Sequence, residues 1–142
     1  MNKQQNVNPK DLAVLSKINI TEIINIEKKD EFLENFEKMT WSLFFETDAK
    51  DLTEEELEIL EKFVKQKDFK GAVKYLEEKF KNIKVLLMKN ALLAKKYFIL
   101  QAFAKDNVNG IKKDGEDRER FEELKKLAKE DKWEEFMRVY NM

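Results

Sequence analysis

The chain has 142 residues, of which 42% are hydrophobic and 40% charged, and its formal net charge is -1. It contains neither cysteine nor histidine. These absences exclude disulfides, thiolate nucleophiles, sulfur-ligated metal sites, histidine general bases and histidine-ligated metals. Three glycines and one proline are too few for the many turns of a sheet protein, whereas helix-forming residues are plentiful. The composition therefore predicts an all-α protein.

The length is that of one domain, which buries roughly 70% of its unfolded surface. We predict a disordered tail at residues 1–7 and one all-helical domain over residues 8–142. That domain is expected to be a bundle of about six or seven helices built from antiparallel helical hairpins. The polar first ten residues lack the apolar core of a secretory signal, and cysteine is absent, so we expect a cytoplasmic protein.

The first predicted helix begins at Asn8-Pro9, with Asn8 as its N-cap and Pro9 in the first helical position. Residues 18–26 alternate isoleucine with polar residues, so a short extended segment competes with a helical turn capped by Thr21. We favour the helical turn. A helix with an aromatic face follows over about residues 30–46.

The best-marked helix start is at Thr53, which has Glu56 three residues later in the pattern of a capping box. This helix is expected to end near Lys67-Asp68, and another begins at Phe69. Asn82 is the predicted boundary of the next helix, because a single helix from Phe69 to Lys105 would exceed the usual globular length.

Apolar residues occupy almost every helical angle between Ile83 and Lys105, which predicts a central helix surrounded by others. Lysines and amides interrupt this stretch, so it is not expected to span a membrane. The glycine-containing segment 106–117 is a predicted loop, and two amphipathic helices follow it.

The last two helices repeat an earlier pattern at an offset of 64 residues. The matching pairs are Leu57 with Phe121, Leu60 with Leu124, Phe63 with Leu127, Phe69 with Trp133, and Leu76 with Tyr140. Two loose copies are fewer than a solenoid needs for stability. We interpret them as two ordinary helical hairpins within one bundle.

Charge is segregated along the chain. Residues 27–61 hold 4 lysines against 13 acids, and residues 62–105 hold 12 lysines against 3 acids. Segregation of this kind indicates either an interaction surface or two segments that pack together and neutralise each other.

Five lysines of the basic segment fall within an arc of roughly 140° when a helix is assumed. They are Lys81, Lys84, Lys89, Lys95 and Lys96. An exposed stripe of lysines could bind a phosphate backbone or an acidic partner. The competing interpretation, which we favour, is that the lysines form the polar edge of a mostly buried helix and face the acidic segment.

No pattern in the chain predicts a catalytic residue, a metal site or a cofactor site. The acids between Glu46 and Glu56 lack the spacing and glycine of a calcium-binding loop, and no phosphate-binding glycine motif occurs. We therefore expect a protein that is not an enzyme, with no cofactor, no metal and no small-molecule substrate.

Aromatic residues are the second candidate for an interface, because aromatics are enriched at binding hot spots. The candidates are Trp41, Phe45, Trp133 and Tyr140. Such residues more often form the core, and exposure of both tryptophans would favour an interface.

The expected function is a non-catalytic helical protein-protein interaction module, such as an adaptor, small subunit or inhibitor of a larger assembly. Its partner would be another protein or a second copy of the chain, with no role at a membrane. The alternative is a nucleic-acid-associated small subunit that uses the lysine stripe in residues 79–105.

Overall fold

The computed structural model describes residues 8–112 and 114–142. Regular structure in that part consists of eight α-helices and one 3-10 helix at Gly115–Asp117. The α-helices are α1 (Pro9–Lys17), α2 (Ile20–Ile23), α3 (Lys29–Thr47), α4 (Glu54–Lys65), α5 (Phe69–Glu77), α6 (Ile83–Ala104), α7 (Arg118–Lys129) and α8 (Trp133–Tyr140). The predicted all-α class is confirmed. The disordered tail predicted at residues 1–7 lies outside the described residues, and the single domain over residues 8–142 stays a prediction.

Two predicted helix starts are confirmed by their capping bonds. Asn8 Oδ1 accepts a hydrogen bond from the Lys10 backbone N–H at 2.8 Å. Thr53 Oγ1 accepts from the Glu56 N–H at 3.1 Å, and Glu56 Oε1 accepts from the Thr53 N–H at 2.9 Å, which completes the capping box. These bonds satisfy backbone donors that a helix leaves unpaired at its first turn.

The ambiguous segment after α1 contains both predicted conformations. A single helical turn, α2, is followed by Ile24, which forms an isolated antiparallel bridge with Val108. The N-cap is Asn19, whose Oδ1 accepts from the Thr21 N–H at 3.1 Å, so the prediction of Thr21 as the cap is wrong. Thr21 lies inside the helical turn, and its backbone N–H is the donor that Asn19 caps.

The chain divides into two compact units, and the division falls within α6. The middle unit is Lys29–Ala94, and the terminal unit combines the residues up to Lys28 with those from Lys95 onward. The middle unit has a core that includes Trp41, Phe44, Leu60, Ala72 and Leu76. In the terminal unit the largest fully buried side chains include Phe103, Phe121, Trp133 and Phe136.

Each unit contains one of the two predicted hairpins, α4 with α5 in the middle unit and α7 with α8 in the terminal unit. Their turns match residue for residue at the 64-residue offset. Lys67 and Asp131 both have a left-handed backbone, with φ of 62° and 59°. The Asp68 N–H donates to Phe63 O at 2.8 Å, and the Lys132 N–H donates to Leu127 O at 2.9 Å. The sequence echo therefore corresponds to the same helix-ending turn in both hairpins.

Helix α6 begins at Ile83, and α5 ends at Glu77, so the predicted boundary near Asn82 is confirmed. The expectation that α6 is surrounded on all sides is wrong, because Val85 is 67% and Met88 63% exposed. Neither α6 nor any other helix of the described residues has the length and apolarity needed to cross a membrane.

The capping box at α4 gives a stability prediction. Thr53→Ala should lower the free energy of unfolding by about 1 kcal/mol, because the Glu56 N–H loses its acceptor. Thr53→Ser retains the hydroxyl and serves as the control. Urea denaturation of the three proteins measures the difference, and equal stability of the alanine and serine variants would contradict the capping role.

Candidate functional site

A groove with a volume of about 830 Å³ lies between α3, α5 and α6 in the middle unit. We call it the α3/α5/α6 groove. Its lining residues are Phe36, Glu37, Thr40 and Trp41 from α3, Phe69, Lys70, Val73, Lys74 and Glu77 from α5, and Lys84, Leu87, Met88 and Ala91 from α6.

Seven of the thirteen lining residues of the groove are apolar, and the one uncharged polar residue, Thr40, bonds within its own helix. The Thr40 hydroxyl donates to the Phe36 carbonyl within α3 at 3.0 Å. The Trp41 side chain is almost wholly buried, and it contacts Phe44 edge-to-face at 5.7 Å between ring centroids. Met88, by contrast, is largely exposed at the mouth of the groove. A flexible, polarisable methionine adapts to differently shaped apolar partners.

A buried polar cluster links two walls of the groove, the end of α3 and the middle of α6. Asn90 is fully buried, and its Nδ2 donates to Asp48 Oδ2 at 2.7 Å and to the Leu86 carbonyl at 3.0 Å. Lys89 Nζ lies 3.1 Å from Asp48 Oδ1. A satisfied polar cluster of this kind fixes the register of the helices that it joins.

The pKa of Asp48 reflects this cluster. Burial alone would raise it, but the hydrogen bonds from Asn90, Lys89 and Thr47 outweigh burial and lower the pKa below its ordinary value. The ionised carboxylate is therefore the form that stabilises the contact between α3 and α6.

Both signs of charge occur at the rim of the groove. The charged lining residues are Lys70, Lys74, Lys84, Glu37 and Glu77. Lys84 Nζ lies 3.9 Å from Glu77 Oε1. Burial raises the pKa of Glu37, opposed by a hydrogen bond from Trp41. In the part of the chain that the structure describes, Lys70 and Lys74 form no ion pair, and both are exposed.

The acidic and basic segments meet within the middle unit. Glu34 pairs with Lys67 at 2.7 Å, and Glu56 pairs with Lys79 at 3.1 Å. The Asp48 contact with Lys89 is a third pair of the same kind. Three of the 13 acids in residues 27–61 thus pair with the basic segment, whereas Lys70 and Lys74, like Lys62 and Lys65 of α4, form no ion pair within the described residues.

The five lysines of the predicted stripe have different environments. Lys81 and Lys84 are exposed, and Lys89 is paired with Asp48. Lys95 and Lys96 lie in the terminal unit.

Lys95 Nζ donates to three backbone carbonyls at the end of α1, those of Leu15, Ser16 and Ile18, at 3.1, 3.2 and 3.0 Å. Burial lowers the pKa of Lys95. The ammonium group satisfies carbonyls that the helix end leaves unpaired.

Lys96 Nζ forms an ion pair with Asp131 Oδ2 at 2.8 Å, with the two side chains only 16% and 11% exposed. Asp131 Oδ1 also accepts from the Trp133 indole N–H at 3.3 Å. Lys95 and Lys96 therefore act within the terminal unit, where their ammonium groups satisfy local acceptors.

The aromatic candidates for an interface are mostly core residues. Trp41 is 2% and Trp133 0% exposed, so neither tryptophan has the exposure that would favour an interface. Phe45 packs half-buried against the core of the middle unit. Tyr140 is also half-buried, and its hydroxyl donates to the Asn109 carbonyl at 3.1 Å.

Sequence reasoning did not identify the α3/α5/α6 groove. The apolar residues of α5 at Phe69 and Val73 were visible in the sequence, but periodicity does not tell which apolar face a neighbouring helix covers. Exposed Met88 carried no signal of its own, because it lies in a helix that is apolar on every side.

The buried cluster predicts a pH-dependent difference between wild type and Asp48→Asn. At neutral pH the variant should be less stable by about 1 to 3 kcal/mol, because hydrogen bonds to a charged carboxylate are lost. The folded pKa of Asp48 lies below its ordinary value of 3.8, so its stabilising effect is complete above that pH and is lost as the pH falls through the folded pKa. The difference in unfolding free energy should therefore shrink below that pH. Chemical denaturation across an acidic pH series measures it, and a constant difference would contradict the assignment.

No protein-family model, curated protein or solved structure matches this chain. The functional interpretation therefore depends on the groove's own residues and contacts.

Proposed function

We propose that this chain is a non-catalytic protein-interaction module that binds an acidic and apolar segment of another protein in the α3/α5/α6 groove. The observation that carries the proposal is a largely apolar groove with an exposed methionine at its mouth and two lysines at its rim that form no ion pair within the described residues. An adaptor, a small subunit or an inhibitor of a larger assembly would all use such a surface.

The dimensions of the groove fit a short segment of protein. Its lining on α5 runs from Phe69 to Glu77, and its lining on α6 runs from Lys84 to Ala91. At a rise of about 1.5 Å per residue each wall extends over roughly 10 to 12 Å, the length of two helical turns. Grooves that accept a partner helix bind through apolar anchors at this spacing.

The rim charges favour a partner with carboxylates. Lys84 has a contact with Glu77, but Lys70 and Lys74 have no ion pair within the described residues. Lysines in this position attract an acidic segment and raise its association rate, while the apolar interior contributes affinity.

A protein partner is better supported than the alternative of nucleic acid. The lysine stripe would require Lys81, Lys84, Lys89, Lys95 and Lys96 to present their ammonium groups together. Lys95 and Lys96 instead satisfy acceptors in the terminal unit, and Lys89 is paired with Asp48. The basic groups at the groove also surround apolar side chains, a combination that suits an amphipathic peptide better than a phosphate backbone.

The proposal predicts different effects of two substitutions one helical turn apart. Met88→Glu places a carboxylate at the mouth of the groove and should weaken partner binding by about tenfold or more. Val85→Glu is the matched control, because Val85 is similarly exposed on α6 but does not line the groove. Binding is measured by pull-down of wild type and both variants from lysate of the native source, with and without nuclease treatment, and each captured protein is quantified.

Support requires a captured protein that is lost with Met88→Glu and retained with Val85→Glu. Capture that is equal for both variants would contradict the proposed surface. Capture that disappears after nuclease treatment would favour the nucleic-acid alternative, and recovery of the chain's own second copy would indicate self-association.

A further inference from the structure

The two hairpins differ in what covers their second helix. In the terminal unit α1 packs against α8, and Asp11 Oδ1 of α1 accepts a hydrogen bond from the Glu134 backbone N–H at 3.0 Å. Leu15 and Ile18, which follow Asp11 by four and seven residues, are buried. Helix α8 is thus covered by α1, which contributes an acidic contact at Asp11 and is followed by buried apolar residues four and seven positions later.

The equivalent residues of α5 line the open groove. At the 64-residue offset Phe69 matches Trp133, Lys70 matches Glu134, and Val73 matches Met137. Trp133 is fully buried, whereas Phe69 is half-buried and lines the groove. The turns that lead into α5 and α8 have the same left-handed residue and the same backbone hydrogen bond, so the second helix of each hairpin begins in the same way.

We propose that the occupant of the groove is an amphipathic helix that lies on α5 as α1 lies on α8, with an acidic residue beside Lys70 and apolar residues four and seven positions later. This inference depends on the proposed function and specifies the chemistry of the partner. The charge of the site supports this occupant, because α5 has Lys70 and Lys74 at the positions where the covered helix α8 has Glu134 and Arg138. The change at the first of these positions converts an acidic side chain into a basic one.

The difference between Glu134 on α8 and Lys70 at the equivalent position of α5 also explains why the partner should be more acidic than α1. Helix α1 carries Lys10 and Lys17 beside its single acid, Asp11. A partner of the groove meets three rim lysines, Lys70, Lys74 and Lys84, against two rim glutamates. Additional carboxylates on the partner would therefore find counter-charges at the rim.

The test uses two synthetic peptides based on residues 8–18, each with a hydrocarbon staple joining positions 13 and 17 on the exposed face of α1. The staple preforms the helix and removes most of the ordering cost of a short peptide. The acidic peptide carries Lys10→Glu and Ser16→Glu. The basic peptide has the same apolar residues but carries Asp11→Lys and Ser16→Lys. Fluorescence anisotropy of each labelled peptide is measured against the full chain.

We expect saturable binding of the acidic peptide and binding of the basic peptide that is weaker by about tenfold or more. The double variant Lys70→Glu/Lys74→Glu should reverse this preference. The double variant Lys62→Glu/Lys65→Glu changes the net charge equally on exposed positions of α4 and should leave the preference unchanged. Circular dichroism checks that each variant retains its helices.

Equal affinity for both peptides, or an unchanged preference in Lys70→Glu/Lys74→Glu, would overturn the inference. Absence of binding by the acidic peptide up to about 1 mM, an affinity of about 4 kcal/mol, would also overturn it. The proposed function would still stand in these cases if a native partner is lost with Met88→Glu and retained with Val85→Glu. Persistent acidic-peptide binding to Met88→Glu would place the peptide outside the groove and overturn the inference as well.

Discussion

A helix in a hairpin packs against its partner helix through one face, and apolar side chains on its other face need a second cover. This constraint applies to α5 and α8 alike, because the two hairpins share the same turn and the same spacing of core residues. In the terminal unit the chain supplies the second cover as α1. In the middle unit the corresponding side chains of α5 line the α3/α5/α6 groove. The proposed function follows from that difference.

The groove depends on polar contacts as much as on apolar packing. The fully buried Asn90 and the carboxylate of Asp48 fix the end of α3 against α6, so the walls of the groove have a defined register. Ion pairs between Glu34 and Lys67 and between Glu56 and Lys79 neutralise part of the charge that is segregated along the sequence. Three lysines of the basic segment, Lys70, Lys74 and Lys84, line the groove.

The sequence predicted the elements better than the surfaces. Capping chemistry is local, so the starts at Asn8 and Thr53 could be inferred from a few residues. The fate of Lys95 and Lys96 could not, because it depends on acceptors 77 or more and 35 positions away. The groove was missed for the same reason, since the sequence pattern of an apolar face on α5 is identical whether or not another helix covers that face. Comparison of the two hairpins at the 64-residue offset shows that, within the described residues, α8 has a covering helix where α5 lines a groove.

The most direct test of the docking surface is methyl NMR of the chain labelled with ¹³C at its five methionines, recorded during titration with the acidic stapled peptide. Met88 lies at the mouth of the groove, whereas Met137 lies on α8 in the position that matches Val73. We predict a saturable shift of the Met88 methyl signal, with little change at Met137 and Met142. A titration that shifts Met137 or Met142 and leaves Met88 unchanged would contradict it.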